Sequence, residues 1–380
     1  MNNPKIAIFI SDVGFGHMVR QREIIKTIIE DIKGAEITVI NKYQINILRE
    51  NFGNKIKYIK KYNNIGLFTN DKSHLDYPKS LNELSSWNKN IKKDFLFFKN
   101  KFSNYDLIIS DFVPEIFEFS NKFGIPCFGV CHFTWSWFFK KLVKNKPFKN
   151  KKIKKIIKEL SLKEKMATKY FFPPLTPSGI FNNLEKNKII EVPFITDKNK
   201  NFKVEKKNNK KIFLIMDNGK KTLSNLISNT IDYLESVSGC KFYIGAITLK
   251  KNDIKKIKKT YNAVPIFGLK NIYSYVKKVD FVIVRAGFNS ISETLIYKKP
   301  SIFMNEKFNP EITGNIKIIR KLKIGSTMID KDWGKNFKKR IYKFLSKEQK
   351  LIYNNLKSYK FKTNGAKEIV KFIKESYIND

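Results

Sequence analysis

The strongest constraint on this chain is its alternation of short apolar runs with segments of helical period. In the first half, "KIAIFIS" (5–11), "EITVI" (36–40), "IKYI" (56–59), "YDLIIS" (105–110) and "IPCFGV" (125–130) read as strands. Between the first two, Ile24, Ile25, Ile28, Ile29 and Ile32 recur at helical spacing, and 80–102 and 114–123 also read as helices. Strands that alternate with helices imply a parallel sheet covered on both faces. A polar, charged segment at about 196–210 carries no apolar period and reads as a linker. The alternation then restarts with strands at 211–216, 241–247, 264–268, 279–284 and 300–304, followed by helices at about 331–345, 347–358 and 364–378. The fold class is therefore α/β, with two doubly wound parallel-sheet domains in series. The expected division is 1–200, 201–360, and a C-terminal helix at 361–380 that can cross back to the first domain.

Ligands of such sheets sit beyond the carboxyl ends of the strands, so the loops there carry the chemistry. The first strand ends in "SDVGFGHMVRQ". Gly14 and Gly16 permit a sharp turn and close backbone approach, and His17 opens the following helix. A positive imidazolium is disfavoured at a helix N-terminus, whereas a neutral imidazole is what a general base must be. An aspartate on the other ring nitrogen would fix its tautomer, and Asp111 stands at the same carboxyl edge if its strand is parallel. Arg20, one turn on, reads as an anion contact or a solvent-facing charge. His132 follows another strand and is the reserve base; His74 has a weaker claim.

In the second half, Asn218 and Gly219 follow the first strand, where backbone N–H groups can face a phosphate. The stretch "FVIVRAGFNSISETLIYKKPSIFM" (281–304) is more telling. It places Arg285 at the end of a buried strand, Gly287 in a tight turn, Asn289 or Ser290 as helix cap, and Glu293 one turn into the helix. A core needs neither charge, but a phosphate and a ribose diol would use both. "NEKFNPEITGN" (305–315) adds Asn309, Glu311, Thr313 and Asn315 after the next strand.

Composition removes several alternatives. The net charge is +41, from 75 basic and 34 acidic residues. Lysine far outnumbers arginine, and the chain is crowded with Asn, Ile, Phe and Tyr, which fits AT-rich codons first and attraction to an anionic membrane second. Nucleic acid comes last, because no binding motif is visible. The basic stretch at 140–165 can lie on an anionic bilayer as an amphipathic segment, or keep its apolar side on the protein; Pro147 breaks any long helix there. Cys127, Cys131 and Cys240 match no zinc spacing and read as packed thiols. Asp330 and Asp332, the one D-x-D, read as a helix cap rather than a metal site. No apolar run reaches the length of a membrane span and no signal-peptide pattern opens the chain, so the expectation is a cytoplasmic protein, peripheral on the inner face of the plasma membrane if the basic stretch is used.

"RAGFNSISETLIYKKPSIFM…NPEITGN" resembles the donor-nucleotide signature of GT-B glycosyltransferases, which have two Rossmann-like domains facing a cleft. It is similar to the peptidoglycan N-acetylglucosaminyltransferase superfamily. The N-terminal "FISDVGFGHMVR", with "SDFVPEIFEF…HFTWSWFF", resembles the glycosyltransferase-like domain of plant arabinokinases. The resemblance implies an inverting, metal-independent transfer of a hexosyl or N-acetylhexosaminyl group from a nucleotide-sugar, UDP-linked, to a glycan or lipid-linked acceptor. It implies no cofactor beyond that substrate. It carries the base onto His17 and its support onto Asp111, and donor binding onto Arg285, Gly287, Ser290, Glu293, Glu311, Gly314 and Asn315. Glu311 stands where the pattern has Gln, and the phosphate loop is reduced to "MDNGKK". The N-terminal loop "GFGHMVR" also resembles nucleotide-sugar hydrolases of the same fold, and a non-catalytic glycan- or anionic-lipid-binding protein is the remaining alternative.

Overall fold

A computed structural model describes residues 3–12, 14–63, 65–68, 75–144, 150–177, 179–196, 210–216 and 221–378. The chain divides into two compact units. The first comprises Met1–Phe68, Asp76–Asp197 and Lys362–Asp380; the second comprises Thr69–Leu75 and Lys198–Phe361.

The first unit runs β1 (Lys5–Ile10), α1 (Phe15–Asp31), β2 (Glu36–Ile40), α2 (Ile45–Phe52), β3 (Lys57–Ile59), α3 (Tyr77–Phe102), β4 (Leu107–Asp111), α4 (Glu115–Phe123), β5 (Cys127–Val130), α5 (Trp135–Lys144), α6 (Lys151–Glu164), β6 (Lys169–Phe172) and β7 (Ile189–Glu191). The strands form one sheet in the order β3-β2-β1-β4-β5-β6-β7, with every neighbouring pair parallel. β1 and β4 are buried along almost their whole length, as a central parallel strand must be.

The second unit runs β8 (Lys211–Met216), α7 (Lys221–Ser228), β9 (Cys240–Gly245), α8 (Lys251–Lys259), β10 (Ala263–Ile266), α9 (Leu269–Lys278), β11 (Phe281–Arg285), α10 (Phe288–Ile296), β12 (Ser301–Met304), α11 (Pro310–Leu322), β13 (Ser326–Met328), α12 (Phe337–Lys343) and α13 (Gln349–Ser358). Its sheet has the order β10-β9-β8-β11-β12-β13 and is also parallel throughout. β6, β7 and β13 have no counterpart in the sequence reading; they are three or four residues long and stand at sheet edges or next to them.

The final helix, α14 (Gly365–Tyr377), belongs to the first unit. Its Ala366, Ile369, Val370 and Ile373 share a core with Ile24, Ile25 and Ile28 of α1 and with Ile32, which follows it. The last residues of the chain thus support the helix that carries His17.

Of the two readings of the basic stretch, α6 follows the one that keeps its apolar side on the protein. α6 buries Ile153, Ile156, Ile157 and Leu160 against α3, α4 and α5 of its own unit. Its apolar side is used by the protein, so insertion of that side into a bilayer is not available; the exposed face carries Lys151, Lys154, Lys155 and Lys158. Among the described residues, no helix is long and apolar enough to cross a membrane.

Ile369→Ala should destabilise the first unit by about 2–5 kcal/mol, the usual result of emptying a fully buried aliphatic site. Denaturant unfolding read by circular dichroism should show an earlier first transition; an unchanged midpoint would separate α14 from the core of that unit.

Candidate active site

The first sheet reverses direction beside β1: β2 and β3 lie on one side, and β4 to β7 on the other. A crevice opens beyond the carboxyl ends of the strands at such a reversal. The register pairs Ile10 of β1 with Asp111 of β4, so the end of one strand stands beside the end of the other. After β1 the chain turns at Gly14, whose φ of 77° is a conformation that favours glycine. α1 starts at Phe15, so Gly16 lies inside the first helical turn and does not make the bend assigned to it from sequence.

Asp111 is completely buried. His17 Nδ1 donates to its Oδ1 at 2.8 Å. Arg20 donates to the same carboxylate twice, from Nη2 to Oδ1 at 2.6 Å and from Nε to Oδ2 at 3.0 Å. Gln21 Nε2 donates to Oδ2 at 2.8 Å. His17, Arg20 and Gln21 stand at i, i+3 and i+4 on α1 and share one face of the helix. An ionised carboxylate only accepts, so the proton of the neutral imidazole lies on Nδ1 and Nε2 keeps the lone pair. The His17 side chain retains 12% exposure.

Burial pushes the Asp111 carboxyl up; the Arg20 charge, the attraction of His17 when its ring carries a second proton, and the hydrogen bonds from both outweigh it and hold it at about 2. Arg20 is therefore neither an anion contact nor a solvent-facing charge. It is 2% exposed and its fork is occupied by Asp111. Gln21 and Phe112 were not singled out from sequence. The helical spacing from His17 would have found Gln21. Phe112 follows Asp111 with φ of 61°, an uncommon value for a non-glycine residue. Trp135 Nε1 donates to its carbonyl at 2.9 Å, and its ring lies 4.9 Å from the His17 ring, edge to face. His132 is 4% exposed and packs against Phe112 and Phe133, so it backs the aromatic wall behind His17 rather than reaching solvent. His74 lies outside the described residues.

The second sheet reverses between β8 and β11. Asn218 and Gly219, which follow β8, lie outside the described residues. β11 ends at Arg285, whose side chain is buried and paired with Glu306, Nε at 2.7 Å and Nη2 at 2.5 Å from Oε2. Asn309 Nδ2 donates to the same oxygen at 3.2 Å. Burial pulls the guanidinium pKa down, and the Glu306 and Glu311 carboxylates more than restore it. Arg285 is expected from sequence to meet a phosphate; its Nε and Nη2 are engaged by Glu306, which is not singled out from sequence, and Nη1 lies on the Gly287 side.

α10 starts at Phe288 with Gly287 as N-cap and no side-chain cap, so neither Asn289 nor Ser290 caps it. They occupy its first turn, where main-chain N–H groups point out of the helix end. Glu311 Oε1 accepts from the Phe288 N–H at 3.4 Å. Asn315 is 3% exposed and donates from Nδ2 to the Ala286 carbonyl at 2.9 Å, which makes it a brace of the loop. Gly287 has φ of −76°, and a Cβ there would meet only Arg285 Nη1 at an ordinary 3.5 Å. The fold itself does not demand glycine at that position. Ser290 and Glu293 stand at i and i+3 on α10, Ser290 buried and Glu293 half-buried.

The three cysteines are buried. Burial pushes Cys127 to about 12 and Cys240 to about 11, which leaves them as inert thiols. Among the described residues, no group of three or more His, Cys, Asp or Glu could hold a metal ion. Asp332 Oδ2 accepts from the Ile329 N–H at 2.8 Å, a local capping contact in the D-x-D segment.

Residues 218–373 match the sequence profile of the glycosyltransferase family 28 C-terminal domain. No curated protein matches the chain significantly. Among solved structures, the calicheamicin glycosyltransferase CalG4 superposes with a TM-score of 0.67 at 11% identity, over 100% of this chain and 99% of that one. The glycotransferase of kitacinnamycin gives 0.68 at 9% identity, over 99% of both chains. UGT89C1 of Arabidopsis thaliana, complexed with UDP-L-rhamnose, gives 0.64 at 11% identity, over 93% of this chain and 92% of that one. At these identities the likeness establishes the fold, which is GT-B.

Asp111 makes a specific contribution to acid stability. Its carboxyl is lowered from 3.8 to about 2, so the stabilisation is complete above pH ~4 and is lost as pH falls towards about 2, by roughly 2 kcal/mol. Acid unfolding of Asp111→Asn should lack that part of the slope; a slope equal to wild type would remove Asp111 from the charge network.

Proposed function

We propose that this GT-B chain is an inverting glycosyltransferase that takes a sugar from a UDP-sugar and delivers it to a hydroxyl of a glycan or lipid-linked acceptor. The His17–Asp111 pair carries the reading: a histidine whose tautomer is fixed by a buried carboxylate, at the reversal point of a parallel sheet. A core histidine needs no such arrangement, and a general base does.

His17 Nε2 takes the proton of the acceptor hydroxyl. The freed oxygen attacks the anomeric carbon from the face opposite the diphosphate, and the bond to the diphosphate oxygen breaks with its electron pair. Asp111 stabilises the imidazolium that forms, and Arg20 and Gln21 hold Asp111 in place. In the second unit, Glu293 accepts from the ribose diol. The diphosphate is met by backbone N–H groups in the first turn of α10 and beside Gly219, which is where charge develops on the leaving group. The absence of a steric need for glycine at Gly287 supports a role for it in close approach of the donor. Arg285 contributes through Glu306 to the shape of this loop rather than as a phosphate contact. With amides taking the diphosphate charge, the scheme requires no metal. The match of 218–373 to a glycosyltransferase domain supports the donor assignment.

His17→Ala should lower transfer by about 10²–10⁴-fold with UDP affinity retained; transfer at the wild-type rate would remove His17 from the base role. Glu293→Ala should weaken UDP binding in isothermal titration by roughly tenfold, the loss of one charge-assisted contact. Product analysis separates transfer from hydrolysis: a new glycosidic bond supports the proposal, and free sugar with every acceptor tried overturns it.

A further inference from the structure

Three loops of the first unit leave the carboxyl ends of β1, β2 and β3, and one carboxylate stitches them together. Asp12 is 8% exposed. Its Oδ1 accepts from the N–H groups of Lys42 at 3.0 Å and Tyr43 at 2.9 Å, and its Oδ2 from that of Asn63 at 2.7 Å. The Asp12 carbonyl also accepts from the Gly14 N–H at 3.1 Å, so the turn that leads to His17 is tied to the same knot.

The backbone held so firmly carries exposed aromatic side chains. Tyr43 is 63% and Tyr62 41% exposed. Their rings meet edge to face at 5.7 Å and 71°. The Lys42 ammonium lies 5.2 Å from the Tyr43 ring and 5.7 Å from the Tyr62 ring. Two partly exposed tyrosines whose rings meet, on loops tied to one carboxylate, with a cation beside them, form a platform. The negative face of an aromatic ring complements the C–H face of a sugar ring, and the ammonium complements a carboxylate or other anionic group on it. Adjacent strands lie about 4.8 Å apart, so the platform starts one strand away from the loop of His17.

We infer that Tyr43, Tyr62 and Lys42 form a binding site for an anionic glycan, which makes the acceptor an acidic sugar chain. The binding is a property of this surface alone; that the bound chain is the acceptor rests on the transferase reading above.

The full chain, without donor, is titrated calorimetrically with tetragalacturonate as the anionic probe and cellotetraose as the neutral one. Wild type should bind tetragalacturonate more tightly than cellotetraose. Tyr43→Ala/Tyr62→Ala should weaken tetragalacturonate by about tenfold or more, and Lys42→Gln should bring its affinity down to that of cellotetraose. Tyr261→Ala, at a 66%-exposed tyrosine beside Lys210 in the second unit, is the control and should bind like wild type. Removing tyrosines leaves the net charge of +41 unchanged, so indiscriminate polyanion binding would survive in the double variant. That survival, an equal loss in Tyr261→Ala, or no binding of either sugar to wild type would each overturn the inference. UDP titration of the same samples reports on the transferase reading separately: glycan binding without UDP binding keeps the platform and removes the enzyme.

Discussion

A wholly parallel sheet cannot be closed by hairpins. Every strand must be entered from the same end, so each connection crosses a face of the sheet and returns. Where successive connections cross on opposite faces, the loops diverge and leave a crevice at the carboxyl edge. Both units of this chain are built in this way, with the reversals beside β1 and β8. The residues with unusual chemistry stand at those reversals: His17 and Asp111 in the first unit, Arg285 and Gly287 in the second. The fold does not create the chemistry, but it determines where a base or a donor loop can be placed without breaking a strand.

Burial governs what the charged residues at these edges can do. An arginine inside protein must be paired, because an uncompensated buried charge is far more costly than a lost surface contact. Arg20 is satisfied by Asp111, and Arg285 by Glu306. Each guanidinium gives its Nε and Nη2 to a carboxylate, although the sequence invites a phosphate contact for both. Each pair instead stiffens its loop. In the proposed reaction the diphosphate charge is instead met by main-chain N–H groups, which require no counter-ion.

The legibility of this chain in its sequence follows the same physics. Strands buried on both faces, such as β1, β4, β8 and β11, read as continuous apolar runs and are found directly. β7 and β13 are three residues long, with only partial burial, and their composition does not separate them from loops. The pairing of His17 with Asp111 was legible because two strand ends in a parallel sheet share an edge. Gln21 was legible in principle from its helical offset to His17. Glu306 was not, because its partner Arg285 is on another strand and no local pattern links them. The amphipathic pattern of α6 was legible as a pattern, but a period of 3.6 residues does not say whether protein or lipid covers the apolar side; the packing against α3, α4 and α5 decides it.

Two aspartates at neighbouring strand ends show how the kind of partner decides the role of a buried carboxylate. Asp111 takes its hydrogen bonds from the side chains of α1, so what it holds is a ring and its proton. Asp12 takes its side-chain hydrogen bonds from main-chain N–H groups of the next two strand ends, so what it holds is the course of the backbone. A carboxylate that gathers side chains can tune a base, whereas one that gathers amides can only place loops. Because Asp12 stands two residues before the glycine that bends towards His17, the placement of the outer loops and the placement of His17 are set at one point on β1's carboxyl end. A change that loosens Asp12 therefore displaces the outer loops and His17 together, while a change at Asp111 acts first on the side chains of α1.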